Sequence, residues 1–126
     1  MNKLRQCSLQ GTLFPAGPLT ADENGTGVDV RELQDNGKIV LLVEAVSGTT
    51  PTCDARIQDC DTIGGTYADL SPALAFAQIT DADSQQAIDI DLDSTRGFIR
   101  IAFDTGGTTP VYEAGCVLLG RTGQDG

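Results

Sequence analysis

The sequence contains no histidine and no tryptophan. Without His there is no Ser-His-Asp or Cys-His nucleophile and no His-ligated metal centre. Two Tyr and four Phe are too few to furnish a sugar-stacking cleft. Cations are scarce as well: eight Lys and Arg stand against eighteen Asp and Glu, for a net charge of −10. Nucleic-acid binding draws most of its affinity from cations on phosphate, and no basic stripe is present. An anionic membrane surface would repel such a chain, so neither nucleic acid nor membrane is an expected partner. The longest apolar run, Ile39 to Val43, is too short to span a bilayer. The opening Met1-Asn-Lys-Leu-Arg-Gln-Cys7 is basic, but no apolar signal core follows it. The chain is therefore expected in the cytoplasm unless it leaves by lysis or within a particle. Cys7, Cys53, Cys60 and Cys116 form no C-x-x-C pair. They are expected to be buried thiols, with no metal and no cofactor.

What remains is 126 residues, enough for one domain with one core. The excess of acid favours solubility and suits a protein held at high concentration or displayed on a larger object. Residues 1–26 carry Gly11, then Pro15-Ala-Gly-Pro18, then Asn24-Gly-Thr-Gly27 at their end. Breakers this dense read as an extended N-terminal arm. Within it, Leu13-Phe14-Pro15 is either folded back on the domain or offered to a neighbour, and these three are the candidate partner-binding residues.

From Gly27 onward the hydrophobic period is two. Val28 and Val30 alternate with Asp29 and Arg31, Ile88, Ile90 and Leu92 with aspartates, and Ile99, Ile101 and Phe103 with Arg100, Ala102 and Asp104. Alternation of this kind means strands with one face on a core. Lys38 to Val46 is almost continuously apolar, as in a central strand covered on both sides. Thr52 to Gln58 and Val111 to Leu119 are further strands, with shorter ones near Thr66 to Leu70 and Leu74 to Ile79. The fold class is all-β: a single β-sandwich, immunoglobulin-like or jelly-roll-like, over 27–126 behind the arm.

Ser47-Gly-Thr-Thr-Pro51 recurs as Gly106-Gly-Thr-Thr-Pro110 at an offset of 59. Each copy reads as strand, turn, strand, so two hairpins in corresponding positions are expected. Asp89-Ile-Asp-Leu-Asp93 resembles the start of a calcium loop, but the sixth position is Ser94 rather than Gly and the twelfth is Arg100 rather than an acid. It reads as one solvated strand face, and Asp81-Ala-Asp83 as a loop. Asp59 to Asp69 reads as a turn capped by Asp59 and Asp61, with Tyr67 returning to the core. No acid pair, Lys38 environment or Gly-rich stretch matches a catalytic or phosphate-binding pattern, so no catalytic residue is assigned.

Several pieces together resemble a known group. Gly48-Thr-Thr-Pro-Thr52, Ala55-Arg-Ile-Gln58, an acidic turn and Tyr67-Ala-Asp69 are followed by Ile88-Asp-Ile-Asp-Leu-Asp93 and Arg96-Gly-Phe-Ile-Arg100. This pattern, over about Gly27 to Leu119, is similar to small head structural proteins of tailed bacteriophages, taken to be capsid decoration or cement proteins. The resemblance implies a β-rich protein on the capsid exterior, assembled in the host cytoplasm. It implies the major capsid protein as partner and a homo-oligomer, with a trimer favoured. A head–tail connector or tail protein is the alternative, and a glycan-binding β-sandwich module a more distant one.

Overall fold

The computed structural model describes residues 8–33, 36–70, 73–81 and 84–120. Among the described residues there are seven strands: β1 (Ser8–Leu19), β2 (Glu23–Asn24), β3 (Val28–Asp29), β4 (Asn36–Cys60), β5 (Ala68–Asp69), β6 (Ser84–Asp91) and β7 (Phe98–Gly120). A 3-10 turn, Leu92–Ser94, follows β6, capped by the Asp91 carboxylate, which accepts from the Asp93 backbone N–H.

Two strands dominate. β4 has 25 residues and β7 has 23, and they pair antiparallel along nearly their whole length, from Lys38↔Leu119 to Cys60↔Phe98. Strands usually run three to ten residues, because twist and one-sided packing limit them. Here each strand continues from one layer of the sandwich into the other, so the β4–β7 ribbon serves both. In the first layer its Lys38–Val46/Tyr112–Leu119 half lies between β1, on the β7 side, and β6, on the β4 side. In the second layer its Thr52–Cys60/Phe98–Gly106 half lies between β2 and β3 on one side and β5 on the other. Bridges Cys53↔Ile79 and Arg56↔Ala75 extend that last edge. The layers are thus joined through continuous strands and not only through loops, unlike the immunoglobulin-like alternative.

The fold-over occurs at the repeated segments, and this corrects the hairpin expectation. Neither Gly-Thr-Thr-Pro copy turns its strand back on itself. Ser47 instead pairs with Val111, Thr49 with Thr108 and Thr52 with Gly106, so each copy is a corner laid against the other. The corners are conformational twins: φ is +113° at Gly48 and +102° at Gly107, and +46° at both Thr50 and Thr109. Their contacts are reciprocal. A Cβ on Gly107 would lie 2.6 Å from the Thr50 carbonyl oxygen, and one on Gly48 would lie 2.8 Å from that of Thr109. Only glycine fits both the angle and the approach.

Core residues come from both layers: Ile39, Leu41, Val43, Ala114, Cys116 and Leu118 face Cys53, Ala55, Ile57, Ile99, Ile101 and Phe103. β1 contributes as well. Leu13 and Leu19 are fully buried, and Phe14 meets Phe103 edge-on with ring centroids 4.9 Å apart. Of the two readings of the arm, its described part takes the first and folds back on the domain. Its breakers are absorbed by register shifts between Leu9/Gly11, Thr12/Phe14 and Phe14/Gly17, where a bulge accommodates a residue without ladder bonds. Residues 1–7, including Cys7, lie outside the described residues.

Candidate interaction surfaces

The two outer faces of the sandwich differ in chemistry. On the second layer, the outward side chains of β4 and β7 form a continuous polar network. Arg100 donates to Gln58 at 2.9 Å, and Gln58 donates in turn to Asp69 at 3.1 Å. Arg56 bridges Asp69 at 3.0 Å and Asp104 at 2.5 Å. These bonds hold the Asp69 carboxyl below its usual range, the amide of Gln58 first and Arg56 second. Arg100 also lies over the Tyr67 ring, 4.5 Å from its centroid, and Arg31 over Phe98 at 4.8 Å. Arg31 grips Asp29 at 2.7 Å and brings that carboxyl down to about 2. This face is closed by its own side chains, with each arginine set against an acid, an amide or a ring.

The outer face of the first layer has no such network. Lys38, at one end, pairs with Asp89 at 2.8 Å. Beyond it come Val40 and Leu42 on β4, Gly115 and Val117 on β7, and Pro15 and Ala16 on β1. Together they line a shallow concavity of about 400 Å³. Leu42 is 44% exposed. This corrects the expectation that the apolar run 38–46 is covered on both sides. Ile39, Leu41 and Val43 face the core, whereas the half-buried Val40 and the exposed Leu42 look outward. At the corner end the apolar patch is bounded by Glu44 and Glu113, both exposed.

The sequence-predicted partner-binding residues separate. Leu13 is fully buried in the core; Phe14, 6% exposed, packs on Phe103 and also reaches the floor of the apolar concavity, and Pro15 is exposed at its edge. Asp89 and Asp91 lie on a solvated strand face as expected, but Asp93 belongs to the 3-10 turn and does not share that face. Asp59 is not a turn cap. It is 5% exposed and ties the 92–97 segment to β4: its carboxylate accepts from the backbone N–H and Nε of Arg96, each at 3.0 Å. Tyr67 does not return to the core; it is half-buried beneath Arg100, and its hydroxyl donates to the Ile63 carbonyl at 3.0 Å. Cys53, Cys60 and Cys116 are buried free thiols. Burial pushes Cys53 up to about 12, with Asp54 and Asp104 adding to the effect, and burial alone pushes Cys116 up to about 12.

Sequence reasoning missed Tyr112. Its ring is fully buried and its hydroxyl donates to the carbonyl of Thr52, with the Gly106 carbonyl at 3.4 Å. It is the side chain that fastens the corners from beneath. A lone Tyr in an alternating strand gives no local sign of such a role.

No protein-family model matches the chain, and no curated protein sequence matches it. Solved structures do. The structure of infectious bursal disease virus Gx strain aligns with a TM-score of 0.60 at 14% identity, over 95% of this chain and 33% of that one. The VP2 subviral particle of infectious bursal disease virus aligns with the same TM-score and identity, over 94% of this chain and 33% of that one. The chain therefore spans about a third of the length of these proteins. The SPBc2 prophage-derived protein YomS has a TM-score of 0.49 at 14% identity, covering 89% of this chain and 92% of its own. At such identities the first two likenesses carry the fold, a β-sandwich, and the third carries no argument.

Proposed function

We propose that this chain is a structural virion protein that binds the outside of a bacteriophage capsid and stabilises it as a decoration or cement protein. The observation that carries this reading is the contrast between the outer faces. One is closed by its own ion pairs and hydrogen bonds, fit to face solvent. The other carries an open apolar patch with its charges at the border, fit to be covered by protein. A trimer seated where capsid subunits meet would repeat a modest contact several times and gain by multivalency. The major capsid protein is the partner and the capsid exterior the location in this reading. Support comes from the sandwich shared with the VP2 subviral particle and from the sequence resemblance to phage head proteins. The role is structural and not catalytic: Asp59, the buried acid among the described residues, is committed to Arg96.

Co-sedimentation with undecorated capsids, before and after head expansion, tests the reading. Saturable binding to expanded heads at a fixed ratio to capsid protein is expected. Absence of binding to either form, with a ring-sized oligomer in solution, would replace it with a connector or tail role.

A further inference from the structure

The open face of the first layer has dimensions and a charge border that select an occupant. Its apolar part spans three strands and two or three outward residues on each. At about 4.8 Å between strands and 6.6 Å between outward residues, that is about 200–300 Å². A stable interface between globular partners needs about 800 Å² from each side. The face therefore suits a short extended segment better than a whole domain. Its edges do not invite strand addition, because β1 is broken by Pro15, Pro18 and three register shifts, and β6 ends in Asp89 and Asp91. Contact is thus through the face. The border at the corner end carries Glu44 and Glu113, which form no ion pair with another described residue.

One segment of this chain answers that description. Residues 1–7, Met1-Asn-Lys-Leu-Arg-Gln-Cys7, hold two of the eight cations and two large apolar side chains, and the first acid in the chain is Asp22. We propose that residues 1–7 of one copy dock on the Val40/Leu42/Val117 face of a neighbouring copy, with Lys3 and Arg5 set against Glu44 and Glu113. Register decides against docking within one copy. Ser8 lies opposite Gly120 and Pro18 opposite Glu113, so the acidic border is seven β7 residues from the point where residue 7 joins β1. That is about 23 Å. A chain reversing at Ser8 uses about two residues in the turn and carries Lys3 back by about 10 Å. The remaining gap exceeds the span of a lysine side chain. A neighbour's segment meets no such limit, and exchange around a closed ring satisfies every face. The inference does not rest on the capsid reading, but it claims for a neighbouring copy the apolar patch that reading leaves to be covered by protein.

The test is the solution mass of the full chain by sedimentation equilibrium over a range of concentration and salt. Self-association is expected, weakened by salt. Lys3→Glu/Arg5→Glu should raise the dissociation constant about ten-fold or more, since opposed rim charges become like charges. Leu42→Glu should do the same from the other side, and its exposure keeps the fold intact. Adding Glu44→Lys/Glu113→Lys to the first variant should restore association. A chain that stays monomeric at all concentrations overturns the proposal, as does association indifferent to both charge reversals. Loss of capsid binding by Leu42→Glu with the solution mass unchanged would assign the face to the capsid and overturn it too, while leaving the capsid reading standing.

Discussion

Replacing Gly107 by Ala is the sharpest test of the paired corners. At φ +102° an L side chain is strained by about 1–3 kcal/mol. The added Cβ would also lie 2.6 Å from the Thr50 carbonyl oxygen, 2.8 Å from that of Thr49 and 2.9 Å from the Pro51 Cα. All three atoms belong to the backbone of the facing corner, so no side chain can rotate away, and overpacking of this kind costs about 1–3 kcal/mol. A loss of about 3–5 kcal/mol is expected, a large part of the 5–15 kcal/mol by which domains are stable. Gly48→Ala should lose a similar amount, because its contacts with Thr109, Pro110 and Thr108 mirror those of Gly107. Gly64→Ala is the control: a Cβ there meets nothing within 4 Å, and the smaller unfolded-state entropy should leave it neutral or stabilised by up to about 1 kcal/mol. Urea denaturation followed by circular dichroism reads all three. The corner account is refuted if Gly107→Ala stays within about 1 kcal/mol of the parent, or if Gly64→Ala is equally damaging.

Other consequences follow from the core and its charges. Leu13→Ala should cost about 2–5 kcal/mol in the same assay, as for a fully buried leucine, and removal of residues 1–26 should leave an unfolded chain, since β7 loses its β1 partner and the core loses Leu13, Phe14 and Leu19. A truncation confined to 1–7 should instead melt within a few degrees of the parent. Arg96→Ala strands the buried Asp59 carboxylate, so a lower urea midpoint is expected, moderated by the exposure of Arg96, and Asp59→Asn/Arg96→Ala should recover part of it. The thiols of Cys53 and Cys116 have folded pKa values raised to about 12 from 9.0. Their contribution is intact below pH 9 and lost as pH climbs from 9 towards 12, where the unfolded chain ionises and the folded one does not. Stability should fall over that window by up to about 1.4 kcal/mol per pH unit for each thiol, and Cys116→Ala, though less stable at neutral pH, should show a shallower fall.

Much of this was legible in the residues. The inward sets Ile39, Leu41 and Val43, and Ile99, Ile101 and Phe103, follow from period-two patterning, which is local. The corners were not legible as corners. Gly, Thr, Thr and Pro announce a change of direction, but whether the strand reverses or bends is settled by its pairing partner, and here each copy's partner is the other copy 59 residues away. β1 was hidden for a related reason: four breakers among ten residues suppress any strand signal, yet a bulged edge strand tolerates all of them. The apolar run through Val40 and Leu42 was read as a strand covered on both sides, but among the described residues only its inward face is buried, because an apolar run does not say what lies over each face. Asp59 and Tyr112 depend on contacts with Arg96 and Thr52, 37 and 60 residues distant, for which sequence carries no sign.

The proposed role is that of a building part of a capsid exterior. Quantitative mass spectrometry of gradient-purified particles, before and after surface proteolysis, tests it most directly. The account predicts the chain at a fixed small-integer ratio to the major capsid protein, with peptides of the polar second layer released by protease from intact particles. Its absence from particles that form in a lysate where it is abundant would contradict the claim.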